Sequence, residues 1–328
     1  MEKSVVKPVA LAEAVLADGR TLRLVPPTTA QAPAVLEIIR DAFSHRAPVN
    51  PPPAALGETV ESVSSQIESG FGILALVDDE PAGVVLVSIA ENGDDGHVAG
   101  IHRVSVAPRF QRQGIASVMA MVALEELPGE VALVRLTART EFPHVLRWWR
   151  RLGFSEYARS GNSVELQRRA PVRVAVPVAK EMQDLGWRLS EHLRAGDLII
   201  ASGDLGAGKT TLAQGIGMGL GSIDPVVSPT FVLSRVHQSA SGRPAFVHVD
   251  AYRLGSLAEL EDIDVGSSLD DSVTLVEWGA GIAEGLSDER LEIDIRRSLD
   301  PQDETRWVFI TSVGARWKAP ELRGLTWR

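Results

Sequence analysis

Gly203-Asp204-Leu205-Gly206-Ala207-Gly208-Lys209-Thr210 follows the apolar run Leu198-Ile199-Ile200-Ala201 and precedes Thr211-Leu212-Ala213-Gln214. The octet has the G-x-x-x-x-G-K-[ST] order of a loop that turns a buried strand into a helix around phosphates. Glycines at 203, 206 and 208 let backbone amides turn inward, and the helix N-terminus that follows adds partial positive charge. In that frame Lys209 reaches the β- and γ-phosphates and the Thr210 hydroxyl ligates Mg²⁺. A glycine-rich turn that binds nothing would not need lysine and threonine in register. The stretch from Gly203 through Thr211 is therefore expected to hold a nucleoside triphosphate, in an α/β sheet of the P-loop kind.

Downstream, the helix from Thr211 runs into Gly215, Gly217, Gly219 and Gly221, which read as a fraying or capping end. Val227-Ser228-Pro229-Thr230-Phe231-Val232-Leu233 is a polar turn between apolar stretches. It reads either as a plain loop or as a switch segment with Ser228 and Thr230 near the γ-phosphate. Phe246 to Leu254 and Val273 to Gly279 are apolar strands that carry acids, Asp250 and Glu277. A strand that delivers a carboxylate at its C-terminal end places it where ligands bind in α/β sheets. Asp250 suits Mg²⁺, and Glu277 suits the metal shell or the attacking water. Leu291 to Ile295 and Trp307 to Thr311 read as two strands that finish the sheet. Arg316 to Arg328 reads as a tail whose Trp317 and Trp327 dock on a partner or on the domain itself.

Gly-Asp-Leu-Gly-Ala-Gly-Lys-Thr-Thr, Ser-Pro-Thr-Phe, His-Val-Asp-Ala-Tyr-Arg-Leu and Val-Glu-Trp-Gly, in that order across roughly residues 175 to 318, resemble the TsaE (YjeE) family. The resemblance implies an ATPase of bacterial tRNA N6-threonylcarbamoyladenosine biosynthesis, acting with TsaB and TsaD on an adenosine of ANN-decoding tRNAs. It implies ATP and Mg²⁺ as ligands, with Lys209, Thr210, Asp250 and Glu277 as the phosphate, metal and hydrolytic residues and Trp278 beside the nucleotide. Negative features agree. Asparagine is absent after Asn162, so there is no guanine-reading Asn-Lys-x-Asp, and no Leu-Ser-Gly-Gly-Gln marks a transporter ATPase. Arg235 and Arg253 are too scattered for a nucleotide-kinase lid.

The first half has its own punctuation. Thr21 to Val25 reads as a strand, Gln31 to Phe43 and Val60 to Ile67 as helices, and Ile73 to Val77 with Val84 to Val87 as a hairpin around Asp78 to Gly83. Ile101 to Val106 is a strand, followed by Ala107-Pro108-Arg109-Phe110-Gln111-Arg112-Gln113-Gly114-Ile115-Ala116 and an apolar helix to about Leu127. Amides from Arg112 to Ala116 would face a pyrophosphate at that helix N-terminus.

Gln111, Gly114 and Ala116 occupy the defining positions of [QR]-x-x-G-x-[GA], and this half resembles the GNAT family of N-acetyltransferases over most of residues 18 to 168. The order strand, two helices, hairpin, strand, helix, strand, helix, strand agrees, with Val131 to Thr137, His144 to Leu152 and Gly153-Phe154 as its last parts. The resemblance implies a mixed sheet with helices on both faces and acetyl-coenzyme A held by Val106, Gln111, Arg112, Gln113, Gly114, Ile115 and Ala116. Trp149 stands where many members carry a tyrosine acid, and an indole cannot protonate a thiolate. His102, Glu61 and Glu141 are the candidate bases. The domain reads as an acetyltransferase for an amine or as a non-catalytic docking unit. Arg147, Arg150, Arg151, Arg168 and Arg169 read as a solvated face or as a contact for RNA or an acidic partner.

The boundary falls near Ala170, giving domains 1–169 and 170–328. Net charge is −10, which disfavours general binding through nucleic-acid phosphates. Cysteine is absent, so disulfides, thiol catalysis and cysteine-held metals are excluded. No signal-peptide core or membrane-length apolar run occurs, and a cytoplasmic protein is expected. The competing class is a nucleotide-dependent protein-binding module in which turnover is incidental.

Overall fold

The structure, a computed structural model, describes residues 10–92, 96–229, 231–240, 242–263, 266, 269–298, 302–317 and 322–325. The chain divides into two compact units, one ending at Ala170 and one beginning at Pro171.

The first unit runs β1 (Ala12–Val15), β2 (Thr21–Val25), α1 (Ala32–Ser44), α2 (Val60–Ser69), β3 (Phe71–Val77), β4 (Glu80–Glu91), β5 (His97–Val106), α3 (Ile115–Glu125), β6 (Val131–Arg139), α4 (Pro143–Arg151), β7 (Ser155–Ser160) and β8 (Ser163–Arg169). They form a mixed sheet in the order β1-β2-β3-β4-β5-β6-β8-β7. Alternation divides β3 between two cores. Ile73, Ala75 and Val77 face the α3/α4 side, whereas Leu74 and Leu76 pack with α1 and α2.

The β3–β4 turn is tighter than the sequence suggests. Only Asp78 and Asp79 turn, both left-handed (φ 48 and 66), which suits a two-residue hairpin, and Glu80 to Gly83 already belong to β4. The domain closes on a strand pair, β7 and β8, where the sequence suggested one strand. β5 and β6 are parallel, but they pair only from His97 to Gly100 against Val131 to Arg135. Beyond that point the two strands share no ladder bonds, which leaves a notch between their C-terminal halves.

The second unit comprises β9 (Val172–Val176), α5 (Ala179–Ser190), β10 (Leu198–Gly203), α6 (Lys209–Gly219), β11 (Ser234–His237), β12 (Ala245–Asp250), α7 (Leu257–Asp262), β13 (Ser272–Glu277), β14 (Arg290–Arg297) and β15 (Arg306–Val313). The sheet order is β11-β12-β13-β10-β14-β15-β9. β12, β13, β10 and β14 run parallel to one another, so all their C-terminal ends open on one edge. Burial on both faces explains the unbroken apolar run of β10. Its Ile199 and Ala201 join the core under α5 and α6, and Leu198 and Ile200 join the core on the opposite side.

Three expectations change. β14 does not finish the sheet: it lies directly beside β10, and β15 and β9 extend the sheet beyond it. Of the α6 glycine run, Gly221 (φ 74) caps the helix end as expected, its amide donating to the Met218 carbonyl at 3.1 Å, but the glycines inside α6 do not fray it. Gly215 and Gly219 lie within the helix, facing α5, and a Cβ at Gly215 would come 2.8 Å from the carbonyl carbon of Gln183 and closer still to its oxygen. Gly186 of α5 reciprocates, a Cβ there lying 2.9 Å from the Ile216 amide nitrogen. The glycines therefore form a seam that lets two backbones touch. Trp317 is fully buried in the domain's own core, and Arg316 beside it bonds Asp197 at 3.0 and 3.1 Å and the His192 carbonyl at 2.7 Å. Trp327 lies outside the described residues.

Candidate functional site

At the end of β10 the chain enters three left-handed glycines, Gly203 (φ 136), Gly206 (φ 75) and Gly208 (φ 116), the last capping α6. Side chains avoid this region of φ, which explains glycine at these positions. Among the described residues, the amides of Gly206, Gly208, Lys209 and Thr210 donate to no backbone carbonyl, so the loop presents open donors at a helix N-terminus.

Parallel register assembles the rest. Ala201 lies opposite Glu277, and Glu277 lies opposite Asp250, one row across β10, β13 and β12. Leu205, Gly206, Gly208, Lys209, Thr210, Thr211, Ser228, Asp250, Tyr252, Glu277 and Trp278 line a cleft of about 340 Å³ at that edge. Gly203, Asp204 and Ala207 do not line it. Gly203 and Asp204 instead offer their carbonyls to Lys209 Nζ at 2.6 and 3.0 Å, and Ala207 is buried beneath the loop. Lys209 Nζ also lies 3.8 Å from the centre of the Trp278 ring. Burial pushes the Lys209 ammonium below its ordinary value, and Glu277, Asp250 and Asp204 oppose that shift.

Thr210 Oγ1 donates to Glu277 Oε1 at 2.8 Å, and Ser228 Oγ donates to Asp250 Oδ2 at 3.4 Å. Thr230, the other switch candidate, lies outside the described residues. Trp278 is left-handed (φ 61), and its amide donates to the Ala201 carbonyl at 2.9 Å. Such a conformation costs an ordinary side chain on the order of 1 kcal/mol or more and concentrates at functional sites. Its ring meets Tyr252 edge-on at 5.3 Å, so two aromatic rings flank the lysine side of the cleft.

Sequence reasoning missed His248. The imidazole is fully buried, with Nε2 2.9 Å from Glu277 Oε1. Its signal was available, because it stands two residues before Asp250 on an alternating strand and so shares the face of Asp250. The partner could not be read without the β12–β13 register.

In the first unit, Gln111 Nε2 donates to the Val106 carbonyl at 2.9 Å, tying the loop to the end of β5. Gly114 is left-handed (φ 81) and caps α3. Among the described residues no backbone bond uses the amides of Arg112, Gln113, Gly114, Ile115 or Ala116. This second set of open donors lies at the end of β5, whose C-terminal half borders the notch.

The three base candidates separate on environment. Glu141 is held down to about 2, chiefly by its hydrogen bond from Arg139, and is a poor base. Glu61 is lowered by backbone and Thr59 hydrogen bonds at the start of α2. His102 is lowered by desolvation and then by Arg103, against the pull of Glu58, which favours the neutral imidazole. Its Nε2 lies 2.8 Å from Ser88 Oγ. Trp149 is buried against Phe154 and Trp148. Of the basic group, Arg168 bonds the Leu152 carbonyl and Arg150 approaches Glu156 at 3.8 Å, so these two serve local structure.

No described helix is long and apolar enough to cross a membrane. Comparison with known families matches residues 176–306 to the threonylcarbamoyl adenosine biosynthesis protein TsaE and residues 33–154 to the acetyltransferase (GNAT) family. The tRNA threonylcarbamoyladenosine biosynthesis protein TsaE of Streptomyces coelicolor is 53% identical over 143 residues, 43% of this chain and 97% of the relative. Its Bacillus subtilis counterpart is 38% identical over 126 residues, 38% of this chain and 75% of the relative. The crystal structure of YdiB from Bacillus subtilis aligns at 30% identity over 47% of this chain and 93% of that one, with a TM-score of 0.39. Through its second domain the chain belongs to the TsaE family, and it carries a GNAT-type domain ahead of it.

Proposed function

We propose that this chain binds and hydrolyses ATP in the cleft above β10 as the ATP-driven component of tRNA N6-threonylcarbamoyladenosine synthesis, with TsaB and TsaD as partners. Its first domain binds acetyl-coenzyme A at Gln111 to Ala116. The observation that carries the first part is the convergence of Lys209, Thr210, Asp250 and Glu277 on one cleft, beneath a loop with unused amides.

The donor set fits Mg²⁺. An ion held mainly by substrate phosphates and water needs only one or two protein oxygens, and the Thr210 hydroxyl with Asp250 provides them. Such an ion would supply positive charge against the triphosphate. The remaining work falls to the chain. Lys209 leaves the Gly203 and Asp204 carbonyls for the phosphates, and the open amides of Gly206, Gly208, Lys209 and Thr210 cradle the β-phosphate. Glu277 orients the attacking water or takes its proton. Trp278 and Tyr252 shield the reacting end from bulk water.

Lys209→Ala and Glu277→Ala, assayed in the full chain with TsaB, TsaD and tRNA, test this reading. Lys209→Ala should abolish ATP binding and modification together. Glu277→Ala should keep ATP binding, lose hydrolysis and lose modification. Modification that survives Glu277→Ala would instead favour a nucleotide-dependent binding module with incidental turnover.

A further inference from the structure

His248 is buried on β12 beside the cleft, and it lines neither the loop nor the cleft. Nothing about phosphate binding requires an imidazole there. A buried polar ring is costly unless its nitrogens are matched. Nε2 is matched, by Glu277 Oε1 at 2.9 Å, whereas Nδ1 finds no hydrogen-bond partner among the described residues. A carboxylate oxygen accepts here, so Nε2 is the donor of this contact. Phe246 stacks on one side of the ring, centroids 5.9 Å apart at 19°, which fixes its plane.

Glu277 is itself 3% exposed. Both of its described hydrogen bonds, from Thr210 Oγ1 and from His248 Nε2, fall on Oε1. That leaves Oε2 as the oxygen available to a water. The two holds are not equivalent. Thr210 stands at the start of α6, where its hydroxyl is the oxygen a metal–nucleotide complex would take. When the hydroxyl turns away, the imidazole is the hold that stays.

We infer that His248 is a positioning residue for hydrolysis: by donating from Nε2 to Oε1 it locks the Glu277 carboxylate so that Oε2 meets the attacking water. The inference rests on Glu277 serving the water, as proposed above.

Gln, Asn and Leu at position 248 separate the roles, because a glutamine amide nitrogen stands as many bonds from Cβ as Nε2 does and an asparagine nitrogen stands one bond short. In the full chain, His248→Leu and His248→Asn should lower kcat about 10- to 100-fold, the scale typical of a lost orienting hydrogen bond. The ATP dissociation constant, measured by calorimetry, should stay within about threefold. His248→Gln should recover most of kcat. Equal loss in His248→Gln and His248→Asn, or loss of affinity in step with kcat, would assign the ring to packing and overturn the inference. The Gln/Asn pair carries the comparison even where His248→Leu fails to fold. Glu277→Gln is the separate arm. Wild-type turnover in that variant would refute the role of Glu277 itself, whatever the position 248 series gives.

Discussion

Gly215→Ala tests whether the glycines of α6 are a packing seam. Alanine in a helix interior normally gains about 1 kcal/mol over glycine, so propensity alone forecasts stabilisation. The geometry forecasts the reverse. The added methyl would sit 2.8 Å from the carbonyl carbon and 2.9 Å from the Cα of Gln183, and nearer still to the carbonyl oxygen. All of these are backbone atoms that cannot swing aside. To restore ordinary contact, α5 and α6 must separate by roughly 1 Å, an overpacking strain at the upper end of about 1–3 kcal/mol. Net of propensity, the second domain should lose about 2 kcal/mol, a fall in its melting temperature of about 4–8 °C for a domain of this size. Calorimetry of the full chain reads the shift, and hydrogen exchange in peptides from α5 and α6 assigns it to the second domain. Gly129→Ala, where a Cβ meets nothing within 4 Å, should leave both domains unchanged. Because α6 begins at Lys209, the same displacement should weaken ATP binding. A Gly215→Ala protein as stable as wild type, or more so, would refute the seam.

Two further outcomes follow from the site environments. His237 is buried, its Nε2 has no partner among the described residues, and burial first, then His248 and Arg235, push its pKa below the ordinary value against the pull of Asp224. A depressed histidine contributes stability that is complete above its unfolded pKa, about 6.5, and is lost as pH falls through the folded value. His237→Leu should therefore flatten the acid-side loss of second-domain stability below about pH 6.5, read by urea unfolding across pH, and parallel curves for variant and wild type would contradict it. In the first domain, Gly114→Val would place a β-branched residue at φ 81 where the open amides meet α3. Acetyl-coenzyme A binding measured by calorimetry should weaken at least about tenfold, the equivalent of 1.4 kcal/mol, and undiminished binding would move the site elsewhere.

What could be read from the sequence was what is local. The phosphate loop is eight consecutive residues whose φ demands and chemistry are set within the octet, so it was legible whole. Asp250 and Glu277 were legible as strand ends, because an apolar run that stops at an acid is itself a local pattern. Their meeting was not, since it depends on β13 lying between β10 and β12, a pairing that no stretch of either strand encodes alone. The same limit misplaced β14, whose apolar alternation is equally consistent with an edge and with a place beside β10. Gly215 and Gly219 misled for the opposite reason: their propensity is local and unfavourable to helix, but the contact with α5 that requires them is tertiary. Glu141 looked like a base until Arg139 lay against it.

One device was legible in both halves. Gly114 and Gly208 each cap a helix in the left-handed region, each after a strand, and each precedes amides that no described backbone bond uses. Backbone geometry at the two places is thus alike, open amides at a helix N-terminus, an arrangement suited to an anion. Side chains set the difference in chemistry. Around Gly208 a buried lysine and two buried carboxylates crowd one cleft, the equipment for moving a phosphoryl group. Around Gly114, Gln111 is spent on the Val106 carbonyl and Gln113 accepts from Arg20 at 2.9 Å. Nothing in that loop matches the buried lysine and carboxylates around Gly208.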